Sequence, residues 1–296
     1  TKNFEVGADL RLLNDRIRLG YTYSLQDVKD QIFDIPCSGS SGSQYLLANG
    51  GHIRTNTHEL ELNATIYDSR DFSVDLGVNW TKYESVVKEL APGVENIFLG
   101  GFVEPQVRAY AGYGYPVIFG TAFARDDQGR MYLDEDGLPM ITGESQVIGK
   151  CTPDFNMGWT LGLRYKRVNL STTWSWQSGG QMYCGTTLVM DMFGATEATL
   201  DRDTPVKLSG VDYITGEPKT SEVSMFDYQM TVGDISEAAI YDTDFVKMRD
   251  LTLTYNLPRL GQFDISVFGF VRNLLVWAKM PNLDPESSIG NNNAGG

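Results

Sequence analysis

The sequence predicts an all-β chain: an antiparallel transmembrane β-barrel segment, about eight membrane strands of a larger barrel. Three observations carry that reading. Apolar and polar residues alternate with period two over stretches of about ten residues. The chain turns back within a few residues after each such stretch. Long connections then separate one hairpin from the next, so short turns fall on one side and long loops on the other.

The elements follow in order. Val6, Ala8, Leu10 and Leu12 alternate with Gly7, Asp9 and Arg11, and Leu13-Asn14-Asp15 makes a turn into Ile17, Leu19, Tyr21 and Tyr23. Leu60, Leu62, Ala64 and Ile66 oppose Glu59, Glu61, Asn63 and Thr65; Ser69-Arg70-Asp71 then leads to Phe72, Val74, Leu76, Val78 and Trp80. The clearest hairpin runs Phe155, Met157, Trp159, Leu161, Leu163, Tyr165, then Lys166-Arg167, then Val168, Leu170, Thr172, Trp174 and Trp176. The residues between them are mainly small or polar, so one face is greasy and the other wet. A last pair has Leu251, Leu253, Tyr255 and Leu257, then Phe263, Ile265 and Val267, with Phe268 and Phe270 expected to point into the lumen.

The connections expected to be long are 26–53, 84–154 and 178–244. A compact soluble domain seldom carries three such loops. Tyr21, Tyr23, Trp80, Tyr83, Trp174 and Trp176 are expected at the long-loop end of the strands, and Tyr67, Phe72 and Tyr165 at the short-turn end. Two aromatic girdles around an aliphatic band are what two lipid–water interfaces select. The alternative is a soluble extracellular β-sandwich, a carbohydrate-binding module or adhesin, whose strands also alternate but whose apolar faces meet across a shared core.

Composition bounds the function. The chain has 296 residues and a formal charge of −14, with no basic stripe to displace counterions from phosphates, which argues against a nucleic-acid partner. No run of about 18 apolar residues exists, so no transmembrane helix is expected. A mean hydropathy of −0.23 does not oppose a barrel, because half of each barrel strand faces water. The chain opens at Thr1-Lys2-Asn3 without methionine or signal peptide, so an internal start in a longer precursor is expected. Cys37, Cys151 and Cys184 are widely spaced, and His52 and His58 are the two histidines, which gives no zinc pattern. One disulfide among the three is open to an oxidising compartment; the plainer reading is three unpaired thiols.

Several stretches resemble the SusC/RagA type of TonB-linked outer-membrane protein. They are Phe4-Glu5-Val6-Gly7-Ala8-Asp9-Leu10-Arg11 before Tyr21-Thr22-Tyr23, then Asn49-Gly50-Gly51-His52-Ile53-Arg54-Thr55 with His58-Glu59-Leu60-Glu61-Leu62. Thr57-His58 stands where that pattern usually has Gly. Arg125-Asp126-Asp127-Gln128-Gly129 and Asp134-Glu135-Asp136-Gly137-Leu138-Pro139 resemble its loop hairpin, and Ile148-Gly149-Lys150-Cys151-Thr152-Pro153-Asp154-Phe155 the approach to the next strand. The most specific block is Tyr241-Asp242-Thr243-Asp244-Phe245-Val246-Lys247-Met248-Arg249-Asp250-Leu251, then Arg272-Asn273-Leu274, then Asp284-Pro285-Glu286. The resemblance covers essentially the whole chain.

That resemblance implies the C-terminal portion of a receptor barrel of about 22 strands, residues 1–296, with plug domain, TonB box, earlier strands and closing strand outside the sequence. It implies active import in a Gram-negative outer membrane of the Bacteroidetes type. The partners it implies are a SusD-like surface lipoprotein as lid, TonB-ExbB-ExbD through the missing N-terminal part, outer-membrane lipid, and an oligosaccharide or peptide cargo. No cofactor and no enzyme activity are expected, because the residues offer no zinc spacing, no evident catalytic carboxylate pair and no catalytic motif. Arg272, Asn273, Leu274, Asp284, Pro285 and Glu286 are its structural motif residues.

Candidate chemistry is sparse. Tyr110, Tyr113, Tyr115, Phe119, Tyr183 and Trp277 are read as loop aromatics able to stack on cargo or contact the lid; the competing reading is loops packing on themselves. Asp134 and Asp136 before Gly137 meet part of a calcium-loop pattern, although Asp-Gly is also an ordinary turn signal. Asp9, Arg11, Arg18, Glu59, Glu61, Asp75 and Arg164 fall on the wet face as a solvated lumen wall rather than a catalytic set. No nucleophile-elbow, Walker or dinucleotide motif occurs.

Overall fold

The computed structural model describes residues 1–43 and 45–287. Its strands are β1 (Lys2–Leu12), β2 (Ile17–Pro36), β3 (Tyr45–Asp68) and β4 (Phe72–Leu90), then β5 (Asn96–Gly101), β6 (Gln106–Tyr110), β7 (Val117–Gly120), β8 (Tyr132–Leu133) and β9 (Gln146–Lys150). Next come β10 (Pro153–Tyr165), β11 (Val168–Gly179), β12 (Gln181–Tyr183), helix α1 (Gly185–Met192), β13 (Val206–Asp212), β14 (Pro218–Val223) and helix α2 (Met225–Val232). The chain closes with β15 (Ile240–Asp242), β16 (Phe245–Asn256) and β17 (Ser266–Ala278).

Eight strands form one antiparallel sheet in the order β1-β2-β3-β4-β10-β11-β16-β17. Its register aligns the alternation of every strand. One row crosses all eight as Leu10, Leu19, Leu62, Val78, Trp159, Trp174, Met248 and Leu275. The next runs Leu12, Ile17, Ala64, Leu76, Leu161, Thr172, Leu251 and Val271. Between these rows, on the other face, lie Arg11, Arg18, Asn63, Gly77, Thr160, Thr173, Asp250 and Arg272. A one-residue slip anywhere would exchange the faces, so the matched register is itself evidence that one face meets an apolar medium.

That medium is not a second sheet. The β-sandwich alternative needs two sheets packed face to face about 10 Å apart; the eight strands instead make a single sheet, and outward residues such as Leu10 and Leu253 remain 49% and 52% exposed. The sheet is open at β1 and β17, as befits a stretch of barrel wall.

The girdles are partly redrawn. Tyr21, Trp80, Trp176 and Trp277 share one outward row, and Phe72, Tyr165 and Tyr255 share the outward row nearest the turns. Trp174 lies one row deeper, its ring stacked between Trp159 at 5.7 Å and Trp277 at 6.2 Å. Tyr83, paired with Thr57, falls on the opposite face.

The connection expected over 26–53 is corrected. β2 and β3 stay paired as far as Pro36 and Tyr45. Twenty residues of β2 extend about 66 Å at 3.3 Å each, whereas a membrane strand needs only about 9–11 residues, so a long hairpin overhangs the band. Bulges break the register between Val28 and Gln31 and between His52 and Ile53. At that height His52 bonds Asp27 at 2.5 Å and holds its carboxyl below the usual range. Phe33 beyond the bulges, with Ile53 and Val87 just below them, is buried against Ile97 and Ala109, which seats the four-stranded sheet β5-β6-β7-β9 on the overhang.

Candidate functional site

The long-loop side carries a cavity of about 1400 Å³. One wall is β5 and β6 with their connection: Phe98, Phe102, Val103, Glu104 and Arg108. The other is α1, presenting Val189 and Met190, with Tyr183 at its entry and Tyr45 from the tip of the overhanging hairpin. The two walls touch where Phe102 meets Tyr183 edge to face, with ring centroids 6.2 Å apart. Burial pushes the Tyr183 hydroxyl above its ordinary value, so it stays a neutral donor and acceptor.

The charged groups of the cavity are already partnered. Arg108 donates to Asn96 and to Gln106 Oε1 at 2.8 and 2.6 Å, and its guanidinium lies 4.5 Å over the Phe119 ring. Burial lowers its pKa somewhat without threatening its charge. Glu104 accepts the Ser145 hydroxyl at 2.5 Å. What the cavity offers a ligand is therefore mostly rings and aliphatic groups, with a few fixed polar atoms for orientation.

The expected aromatics divide. Tyr183 lines the cavity. Tyr110 stacks on Phe119 at 6.0 Å and meets Tyr113 edge to face at 5.1 Å, forming a block behind the Arg108 wall. Tyr115 packs against the buried cluster of Phe33, Ile53, Val87, Ile97 and Ala109, so it is core, and burial raises its pKa. Trp277 is corrected outright. It stands in β17, paired with Val246 on the outward face, and cannot face a lumen or loop ligand. Tyr45, Phe98, Phe102, Val103, Val189 and Met190 were not among the expected residues. Their one sequence signal was short apolar runs, Ile97-Phe98-Leu99 and Leu188-Val189-Met190, inside segments too short to show a period.

The carboxylates at 126–136 serve turns. Asp134 accepts the Leu138 amide at 2.8 Å, with Gly137 at φ 80° closing the turn; Asp126 accepts the amides of Gln128 and Arg130, with Gly129 at φ 81°. The proposed calcium pair Asp134 and Asp136 therefore has one carboxylate committed to backbone. Among the described residues no group of three or more His, Cys, Asp or Glu side chains converges as a metal would require. Cys37, Cys151 and Cys184 form no disulfide.

The motif residues near the chain's end acquire partners. Asp284 and Glu286 take Lys247 at 2.5 and 2.6 Å, Glu286 also takes Arg249, and Pro285 is buried between them. Arg272 reaches toward Asp250 at 4.0 Å, while Asn273 sits at φ 51° opposite the bulge between Met248 and Asp250, with Leu274 exposed beside it.

Fold and site together define a stretch of membrane-barrel wall with structured loops on one side. No family model matches the chain. By sequence it is similar to TonB-dependent receptor P3 of Formosa agariphila, 24% identical over 99% of this chain and 31% of that protein. It is also similar to TonB-dependent receptor SusC of Bacteroides thetaiotaomicron, 22% identical over 98% of this chain and 30% of that protein. Among solved structures, the RagAB peptide importer in its closed-closed state superposes with a TM-score of 0.71, at 20% identity over 97% of this chain and 33% of that one. A second structure, of the RagAB peptide transporter, gives 0.70 at 20% identity, over 99% of this chain and 33% of that one. The chain thus spans about a third of the length of the relatives it matches. Over essentially its whole length the chain is thus similar in sequence to TonB-dependent receptors of the SusC/RagA type, and its fold is that of a stretch of their β-barrel.

Proposed function

We propose that this chain forms the C-terminal portion of the barrel wall and part of the extracellular mouth of an importer in a Bacteroidetes-type outer membrane. The short turns face the periplasm and the long loops face outside. Cargo, an oligosaccharide or a peptide, enters through the mouth under a SusD-like lipoprotein lid. The energy comes from TonB-ExbB-ExbD acting on parts of the protein outside this chain. Here the wall residues contribute passage and the loops contribute capture; no covalent chemistry is asked of either.

The observation that supports this best is the pairing of a continuous outward apolar band with a large cavity on the long-loop side. A purely structural barrel has no need of the second. The test is uptake. Phe98→Asp with Phe102→Asp, made in the full-length receptor, places charge on the apolar wall without touching the membrane strands. Uptake of labelled glycan and peptide pools is then followed in cells, with receptor abundance measured alongside. Loss of uptake of one pool at unchanged abundance supports the reading and names the cargo class. Unchanged uptake of every pool that the wild type takes removes the cavity from the transport path.

A further inference from the structure

Lys247 is a charge buried in the barrel wall. It stands on the inward face of β16, paired across the sheet with Ser175 and Val276, and its side chain is 2% exposed. A buried ammonium persists only when its charge and its hydrogen bonds are compensated. Here the compensation arrives from beyond β17: Asp284 Oδ1 at 2.5 Å and Glu286 Oε2 at 2.6 Å, with Arg249 sharing Glu286.

The residues leading to those carboxylates hold a second element. The Lys279 amide donates to the Asp244 carbonyl at 3.0 Å, and Met280 is buried against Met182 and Cys184. The Pro281 carbonyl accepts the Thr187 hydroxyl at 3.4 Å and the Cys184 thiol at 4.0 Å, and Asn282 Nδ2 donates to Thr187 Oγ1 at 3.3 Å. Cys184 directly precedes α1 and Thr187 lies in its first turn. Tyr183, Gly185 and Thr186, which flank them, line the cavity.

We propose that Lys279–Glu286 is a strap that sets the position of α1 against the barrel wall, anchored by Lys247, which is thereby a positioning residue for the cavity. The cavity's role in cargo capture rests on the function proposed above; the strap's grip on α1 does not. An eight-residue helix has little stability alone, so its place is set by what it docks on. Removing the anchor's charge takes from Asp284 its bonded cation and leaves Glu286 held by Arg249 alone, so the strap's grip on the wall loosens.

The experiment uses the full-length receptor in lipid nanodiscs, with Cys37→Ser and spin labels at Val189→Cys on α1 and Asp68→Cys at the wall's turn. Pulsed electron resonance gives the distance distribution between the labels without any cargo. Lys247→Met, and separately Asp284→Asn with Glu286→Gln, are expected to broaden that distribution about twofold or more, as local ordering is lost. Heat-modifiable gel mobility is expected to stay unchanged. A distribution as narrow as wild type in the carboxamide double variant overturns the proposal. If Lys247→Met fails to insert, the carboxamide variant alone decides, because it leaves every wall residue in place. A failed cavity reading would instead show as normal uptake in the Phe98 and Phe102 variants, whatever the labels report.

Discussion

Leu161→Arg is the most informative single change to the barrel wall. Leu161 is paired between Leu76 and Thr172 and stands at the middle of the outward column Tyr165, Leu163, Leu161, Trp159, Met157. The aromatic end of that column at Tyr165 is four residues away, about 13 Å along the strand, and about 9 Å in depth at a 45° tilt. An arginine there cannot bring its whole guanidinium to the interface by snorkelling. The expected cost is about 2–4 kcal/mol, falling to about 0–1 for Tyr165→Arg at the interface. In equilibrium terms the midplane change is about 30- to 1000-fold. Thr160→Arg, one residue away, faces the other side beside Asp75 and Gly77, where water and a carboxylate receive it, and is expected to be near neutral. The assay is a denaturant titration of the full-length receptor in phosphatidylcholine vesicles, with folded fraction read from gel mobility without heating. Equal costs for Leu161→Arg and Thr160→Arg, or a larger cost at Thr160, would refute the assignment of faces.

Three further outcomes follow from the loops and turns. Asp212 is drawn down to about 2 by the Thr215 amide and Lys219, so the 212–217 turn gains stability above the ordinary carboxylate range and loses it as pH falls toward 2. Pepsin cleavage near Tyr213 should therefore accelerate between pH 4 and pH 2 in the wild type but not in Asp212→Asn. Gly210→Ala would set a Cβ 2.2 Å from the Met131 carbonyl oxygen, so β13 must part from β8; a cost of about 1–3 kcal/mol is expected, seen as faster amide exchange in 206–212 with the barrel unaffected. Arg164 reaches Ser73, Asp68 and the Ser69 carbonyl on the inward face, half exposed. Arg164→Ala should cost about 1 kcal/mol or less in the vesicle titration; a loss above about 3 kcal/mol would mean that the turn side is not wet.

The wall was legible because lipid on one side and water on the other imposes period two, as Trp159, Leu161, Leu163 against Thr160, Gly162, Arg164 display. Where that contrast ends, so does the signal. Asp27-Val28-Lys29-Asp30-Gln31 is bulged strand above the band with no lipid to face, and it reads as loop. Trp277 was misplaced because β17 is apolar on both faces, with Phe268 and Phe270 inward, so alternation does not announce the strand. The cavity was illegible for another reason: Tyr45, Phe98, Arg108, Tyr183 and Val189 meet only through the packing of separate loops. The Asp284-Pro285-Glu286 motif stood out in the sequence, but its cations Lys247 and Arg249 are 37 residues earlier, and only the fold pairs them.

The fold requires that lipid solvate the outward column of β10. Nitroxide labels placed singly at each position from Asn156 to Tyr165 in the membrane-embedded receptor measure it directly, by collision with oxygen and with a water-soluble nickel chelate. Met157, Trp159, Leu161 and Leu163 should be oxygen-accessible and shielded from nickel, and Asn156, Gly158, Thr160 and Gly162 should lack that lipid signature. A column that excludes both reagents at Trp159 and Leu161 would place those side chains in a protein interior and contradict the account.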